Sequence, residues 1–224
     1  MTTIENQFMN EHFNNLPLRP PLFYSWEYGI RFEISMPAEK HEDTHNLQQI
    51  NERSSGIFNH VFQDTDELLL ITDIHCDKKD TFLRKKPVKV YQKYVRNKRL
   101  INKLQHRKFP NVFSEDDADY EKMLTHRFVL SCKKSDIRYH QLLSAISYED
   151  FPHPTRILKQ NYQAGYDIYF INVTRKMIYH FYDDRGCDVI AADKEDLRHL
   201  YTTCNDWILD YDRDQIDQLF QPIS

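Results

Sequence analysis

Residues 166–220 read YDIYFINVTRKMIYHFYDDRGCDVIAADKEDLRHLYTTCNDWILDYDRDQIDQLF, and this stretch decides the fold. Residues 166–173 and 176–182 are rich in Tyr, Phe, Ile and Val and contain no Pro or Gly, which predicts strands. Both faces of the second run are apolar: Met177, Tyr179 and Phe181 on one, Ile178, His180 and Tyr182 on the other. Such a strand is central, covered on both sides and joined to antiparallel partners by short turns. Asp183-Asp184-Arg185-Gly186 supplies the turn, since Gly tolerates positive φ and Asp bonds its own backbone. Cys187 to Ala191 returns as a third strand.

Two helices should follow. Asp193 stands at an N-cap with Asp196 three residues on, and Leu197, Leu200, Tyr201, Cys204 and Ile208 keep a helical spacing. Asp212 and Gln215 repeat the capping pattern ahead of Ile216, Leu219 and Phe220. The box FYDDRGCDVIAADKEDLRHLY, followed by NDWILDYDR, resembles the C-terminal signature of bacterial proteins grouped as domain of unknown function 3885. LRPPLFYSWEYGIRFEI and SDIRYHQLLSAISYEDF upstream resemble the rest of such proteins. The resemblance implies a bacterial, cytosolic setting and assigns no catalytic residue.

Composition removes several activities. The only glycines are Gly29, Gly56, Gly165 and Gly186, and no two lie close together. A Walker loop, a dinucleotide fingerprint and a G-x-S-x-G elbow each need two nearby glycines, so all three are excluded. Cys76, Cys132, Cys187 and Cys204 form no Cys-x-x-Cys, which excludes a zinc ribbon or thioredoxin-type motif and fits reduced thiols. MTTIENQFMNEHF carries no secretory signal, and no apolar window is long enough to span a bilayer. With 224 residues and no linker or repeat, one α+β domain over 1–224 is expected, 166–220 being its signature region.

Toward the N-terminus, residues 3–15 suggest a short amphipathic helix, Leu16-Pro-Leu-Arg-Pro-Pro21 is extended, and Phe23 to Ile34 reads as a strand. Tyr24 and Trp26 read as core or rim aromatics. HEDTH at 41–45 fits the H-E-x-x-H zinc-protease pattern, but its context does not. Asp43 or Thr44 would cap the following helix and leave His41 outside, while His45 falls opposite the stripe of Leu47, Ile50, Ile57, Phe58 and Val61. Glu67 to Ile74 and His126 to Cys132 read as strands, Arg138 to Tyr148 as a helix, and 155–165 as a connection. His126, His153 and His180 each read as structural.

Charge is unevenly distributed. Residues 78–108 hold 13 Lys/Arg and a single acid, Asp80; Tyr91, Val95, Ile101 and Leu104 predict one basic amphipathic helix there. Asp183 to Asp217 holds eleven Asp/Glu and four Lys/Arg. Local structure accounts for several of these acids, Asp183 and Asp184 in a turn, Asp193 and Asp212 as caps, and leaves a surplus for a partner.

These observations predict an α+β fold: an antiparallel sheet of about five or six strands with helices packed on it, ending strand-strand-strand-helix-helix. No cofactor and no metal or catalytic residue is assigned. The function they favour is a non-enzymatic, immunity- or antitoxin-like module that binds a basic protein partner through Asp183, Asp184, Arg185, Trp207, Asp210 and Tyr211. The alternative is nucleic-acid binding through the basic segment 84–108, with Lys85, Lys86, Arg96 and Arg99 as contacts. A third reading is a metal-dependent hydrolase using His41 and His45.

Overall fold

A computed structural model describes residues 3–37, 39–80, 89–114, 118–158 and 164–221. The C-terminal stretch forms the meander its composition predicts: β5 (Gly165–Asn172), β6 (Met177–Phe181) and β7 (Gly186–Ala191) pair antiparallel in succession. They join β1 (Gly29–Glu33), β2 (Glu67–Asp77), β3 (Gln105–Pro110) and β4 (Met123–Lys133) in one antiparallel sheet ordered β1-β7-β6-β5-β2-β4-β3. The sheet therefore has seven strands, not five or six.

Its two faces bury different things. Leu68, Leu70, Phe128, Phe170, Tyr179 and Val189 face a large core completed by the helices α2 (Thr44–Val61), α3 (Lys89–Tyr94), α4 (Tyr139–Ile146), α5 (Glu195–Thr203) and α6 (Arg213–Phe220). The alternate residues Leu69, Ile71, Val129, Tyr169, Ile171, Ile178 and Ile190 pack on Phe8, Met9, Phe13, Leu18 and Leu22, which belong to α1 (Ile4–His12) and the segment after it. A period of two thus sends each strand's side chains into two separate cores. All four cysteines are buried and free of disulfides.

Several expectations are corrected. The basic segment is not one helix: α3 stops at Tyr94, a 3-10 turn covers Lys98–Lys103, and Gln105–Pro110 is the edge strand β3. Lys85 and Lys86 lie outside the described residues, as does part of the 155–165 connection. Phe23–Ser25 is a 3-10 turn, so the first strand begins only at Gly29. Two further 3-10 turns, Asn205–Trp207 and Asp210–Asp212, separate α5 from α6. Lys194, not Asp193, is the N-cap of α5, though Asp193 accepts the Glu195 amide at 2.9 Å. Asp212 takes the N-cap position of α6 without a side-chain cap bond; its carboxylate accepts the Tyr24 hydroxyl at 2.8 Å.

Gly186 is needed for space, not for positive φ, which no described glycine adopts. A Cβ there would lie 2.9 Å from the Phe32 carbonyl oxygen and would collide with the Tyr182 hydroxyl. Gly186→Ala should therefore lose about 1–3 kcal/mol in urea unfolding. Adding Tyr182→Phe should recover part of that loss, since it removes the closest atom.

Candidate functional site

Each strand carries an ionisable side chain on its α1-facing side. Read across the sheet, Arg31 pairs with Asp188, Asp188 with His180, and His180 with Tyr169. One pleat along β5, Asp167 pairs with Asp73, Asp73 with Arg127, and Arg127 with Arg107. Directly opposed residues stand about 4.5–5.5 Å apart, so these groups form a near-continuous ladder over all seven strands. Asp73, Asp188 and His180 are completely buried.

Pairing makes this tolerable. Arg127 donates Nε to Asp73 Oδ1 at 2.7 Å, Nη2 to Asp73 Oδ2, and Nη1 to Glu5 Oε1 at 2.6 Å. Arg107 donates Nη2 to the same Glu5 carboxylate at 2.6 and 2.8 Å, so α1 is tied to the sheet by charge as well as by packing. Burial works against the Arg127 cation, but Asp73 and Glu5 more than offset it and hold its pKa above the ordinary arginine value. Asp167 Oδ2 lies 2.9 Å from His75 Nε2, and Oδ1 lies 3.3 Å from His180 Nε2. Burial would raise the Asp167 pKa; the two imidazoles outweigh it and hold this carboxyl well below the usual range. His75 Nδ1 is 3.0 Å from Thr125 Oγ1. Thr125 is fully buried, so this Thr-His-Asp chain offers no accessible nucleophile.

The ladder ends at two surfaces. At the β3 end, a cleft of about 740 Å³ is lined by Glu5, Asn10, Asn15, Arg107 and Phe109 among others. At the β1 end, Arg31 holds Asp188 at 2.7 and 3.0 Å, and its guanidinium lies 4.6 Å from the Tyr24 ring centre. Tyr24 is 52% exposed, and the neighbouring Tyr211 is 86% exposed. Asp206, Asp210, Asp214 and Glu27 are exposed at this edge.

The sequence-predicted partner residues divide. Tyr211 and Asp210 stand at the surface, with Asp210 3.2 Å from Arg213. Asp183 and Asp184 are buried in the β6–β7 turn; Asp183 accepts the Arg185 amide and Nε, each at 2.8 Å. Burial, with Asp183 beside it, pushes the Asp184 pKa up to about 6. Arg185 is largely exposed and reaches Asp150 at 3.4 Å. Trp207 is half-buried against Gly56, where a Cβ would lie 3.2 Å from its ring. Arg96 and Arg99 are exposed. Asp43 caps α2, leaving His45 exposed in its first turn while His41 is buried 3.9 Å from the Phe151 ring. Among the described residues no group of three or more His, Cys, Asp or Glu is placed to hold a metal, and no helix is long and apolar enough to cross a membrane. Sequence reading left Tyr24 as a core or rim aromatic and missed the ladder. The available signal was an ionisable residue in the middle of otherwise apolar strands, such as Asp73, Asp167, His180 and Asp188.

Comparison with known proteins agrees with the C-terminal box. The family described as "Domain of unknown function (DUF3885)" matches residues 5–212. A relative from Bacillus subtilis (strain 168), named "Uncharacterized protein YnaE", is 34% identical over 211 residues, covering 91% of this chain and 96% of that protein. No solved structure matches.

Replacing Arg127 by Met should cost about 3–5 kcal/mol in urea unfolding, because completely buried Asp73 would lose its counter-ion and Glu5 would keep only Arg107. Two carboxyls should show opposite pH signatures. The Asp167 pKa lies below its ordinary 3.8, so its contribution is present above that value and fades as pH falls through the folded pKa. Asp167→Asn should destabilise at neutral pH, and its gap from the parent should narrow in acid. Burial pushes half-buried Glu149 from 4.5 up to about 7, so parent stability declines as pH rises between those values. Glu149→Gln should gain on the parent above that window and not below it, as thermal melts at several pH values would show.

Proposed function

The chain belongs to this family, the DUF3885 proteins, and from its own surfaces we propose that it is a protein-binding module acting through its β1 edge. The observation that carries this reading is Tyr211, 86% exposed beside a half-exposed Tyr24. Large aromatics left in water at neighbouring positions are characteristic anchors of protein interfaces, where truncating one commonly costs about 2 kcal/mol or more. The edge is preorganised: Tyr24 is held by Asp212 through its hydroxyl and by Arg31 through its ring, and Arg31 is fixed by buried Asp188. Exposed Asp206, Asp210, Asp214 and Glu27 give it a negative rim. The partner that fits is a basic protein surface, as for an immunity- or antitoxin-like factor that covers a cationic effector. Asp183 and Asp184 are buried in the β6–β7 turn and Trp207 is half-buried against Gly56, so the contact falls to Tyr24, Asp210 and Tyr211.

A benzophenone amino acid placed at Tyr211 should crosslink one basic protein in source cells. The adduct should weaken with salt and with Asp206→Lys/Asp214→Lys, and should be absent with the photo-probe at exposed Gln218. Tyr211→Ala should weaken the complex roughly 30-fold, the equivalent of about 2 kcal/mol. Equal adducts at both positions, or none at Tyr211, would remove the reading.

A further inference from the structure

Among the described residues, no Lys or Arg between positions 90 and 108 forms an ion pair with an acid of 183–217. β1 and β3 are opposite edges of the sheet, six strand spacings or roughly 29 Å apart. Among the described residues, Arg107 is the only Lys or Arg between positions 90 and 108 in an ion pair. Lys98 donates to the Val95 carbonyl at 2.7 Å and so closes the end of α3. Arg99, Lys103 and Lys108 are exposed and make no ion pair with a described residue. The first two stand on the 98–103 turn, whose Leu100 and Ile101 pack on the core, and Lys108 stands on β3 itself. Cations fixed to a rigid edge raise the local potential, which draws a polyanion.

We propose that the β3 edge, rimmed by Arg99, Lys103 and Lys108, is a binding surface for single-stranded nucleic acid. Lys108 stands on a six-residue strand about 20 Å long, and Arg99 and Lys103 on the turn that leads into it, an arrangement suited to a linear polyanion. A single strand carries one phosphodiester charge per nucleotide, so a linear chain can present successive phosphates along that reach. A duplex-reading helix is missing among the described residues of this edge, where α3 has six residues. Exposed His106 contributes a flat ring, stacked 4.4 Å from Phe128 and with Nε2 3.1 Å from His126 Nδ1, at the height where bases would lie. Among the described residues no strand pairs with the outer side of β3, so its backbone edge is open as well. This surface is remote from Tyr211, and either reading can fail without the other.

Fluorescence anisotropy of labelled oligothymidylate and oligouridylate, about 20 nucleotides long to exceed a typical single-strand site, tests the proposal. Binding should be measurable at low salt and should weaken on a log–log slope near −0.7 per phosphate neutralised. Arg99→Glu/Lys103→Glu/Lys108→Glu should lower affinity at least about tenfold and flatten the slope by about 2. The three side chains are exposed, and an unchanged melting temperature would verify that the variant folds. NMR signals of His106 and His126 should move when oligothymidylate is added. No binding at low salt, or undiminished binding by the folded triple variant, would overturn the assignment. Tighter binding of a duplex would assign the edge to double-stranded nucleic acid and overturn it too. Equal displacement by polyglutamate would point to an acidic protein, with the same consequence.

Discussion

The fold depends on keeping a row of ionisable side chains paired inside a sheet that is covered on both faces. Leaving one buried charge without its partner commonly costs about 3–5 kcal/mol, a large share of a small protein's net stability. The strands therefore cannot slide. A one-residue slip would carry Asp73, Asp167 and Asp188 into the helix-side core and bring Leu and Ile out of it. The same condition positions the N-terminus. Glu5 is the carboxylate that completes both Arg127 and Arg107, so α1 must lie across β4 and β3 for the row to close. Phe8, Met9 and Phe13 then supply the apolar contact that the strand residues Leu69, Ile71 and Val129 require.

Much of the architecture was legible, and the part that was not shows why. Six strands stand out as short runs of β-branched and aromatic residues bounded by turn formers. The seventh, QHRKFP, has little apolar content and lies immediately after a segment with helical spacing. There the helical periodicity of Tyr91, Val95, Ile101 and Leu104 misleads, because Asn97 breaks it by capping the 98–103 turn through its side chain. Edge position is what lets β3 be so polar: only one of its backbone sides is paired, and most of its residues meet solvent. The ladder was present in the sequence as ionisable residues set within the strand runs. It stayed unread because periodicity says which face a residue occupies and not which residues on other strands lie beside it. The sequence singles out Tyr211 by its acidic neighbours, whereas the place of Tyr24 follows only from tertiary contact with Asp212 and Arg31.

The two edges of the sheet are finished in different ways, and the difference bears on what each can meet. Beyond β1, Leu209 donates its amide to the Arg31 carbonyl at 3.0 Å and Ile208 bridges Phe32, so that backbone edge is already occupied. Anything docking there must be recognised by side chains, and those available are tyrosines and carboxylates. On β3, Arg107 and Lys108 and the terminal Pro110 discourage pairing with a second sheet, a common protection for an exposed edge. Lys108 both guards against strand addition and stands among the exposed cations of that edge. Between these edges Arg31 answers Asp188, and Arg127 and Arg107 answer Asp73 and Glu5, so these arginines are committed to the interior. The exposed charges that then distinguish the edges are carboxylates beside β1 and Arg99, Lys103 and Lys108 beside β3.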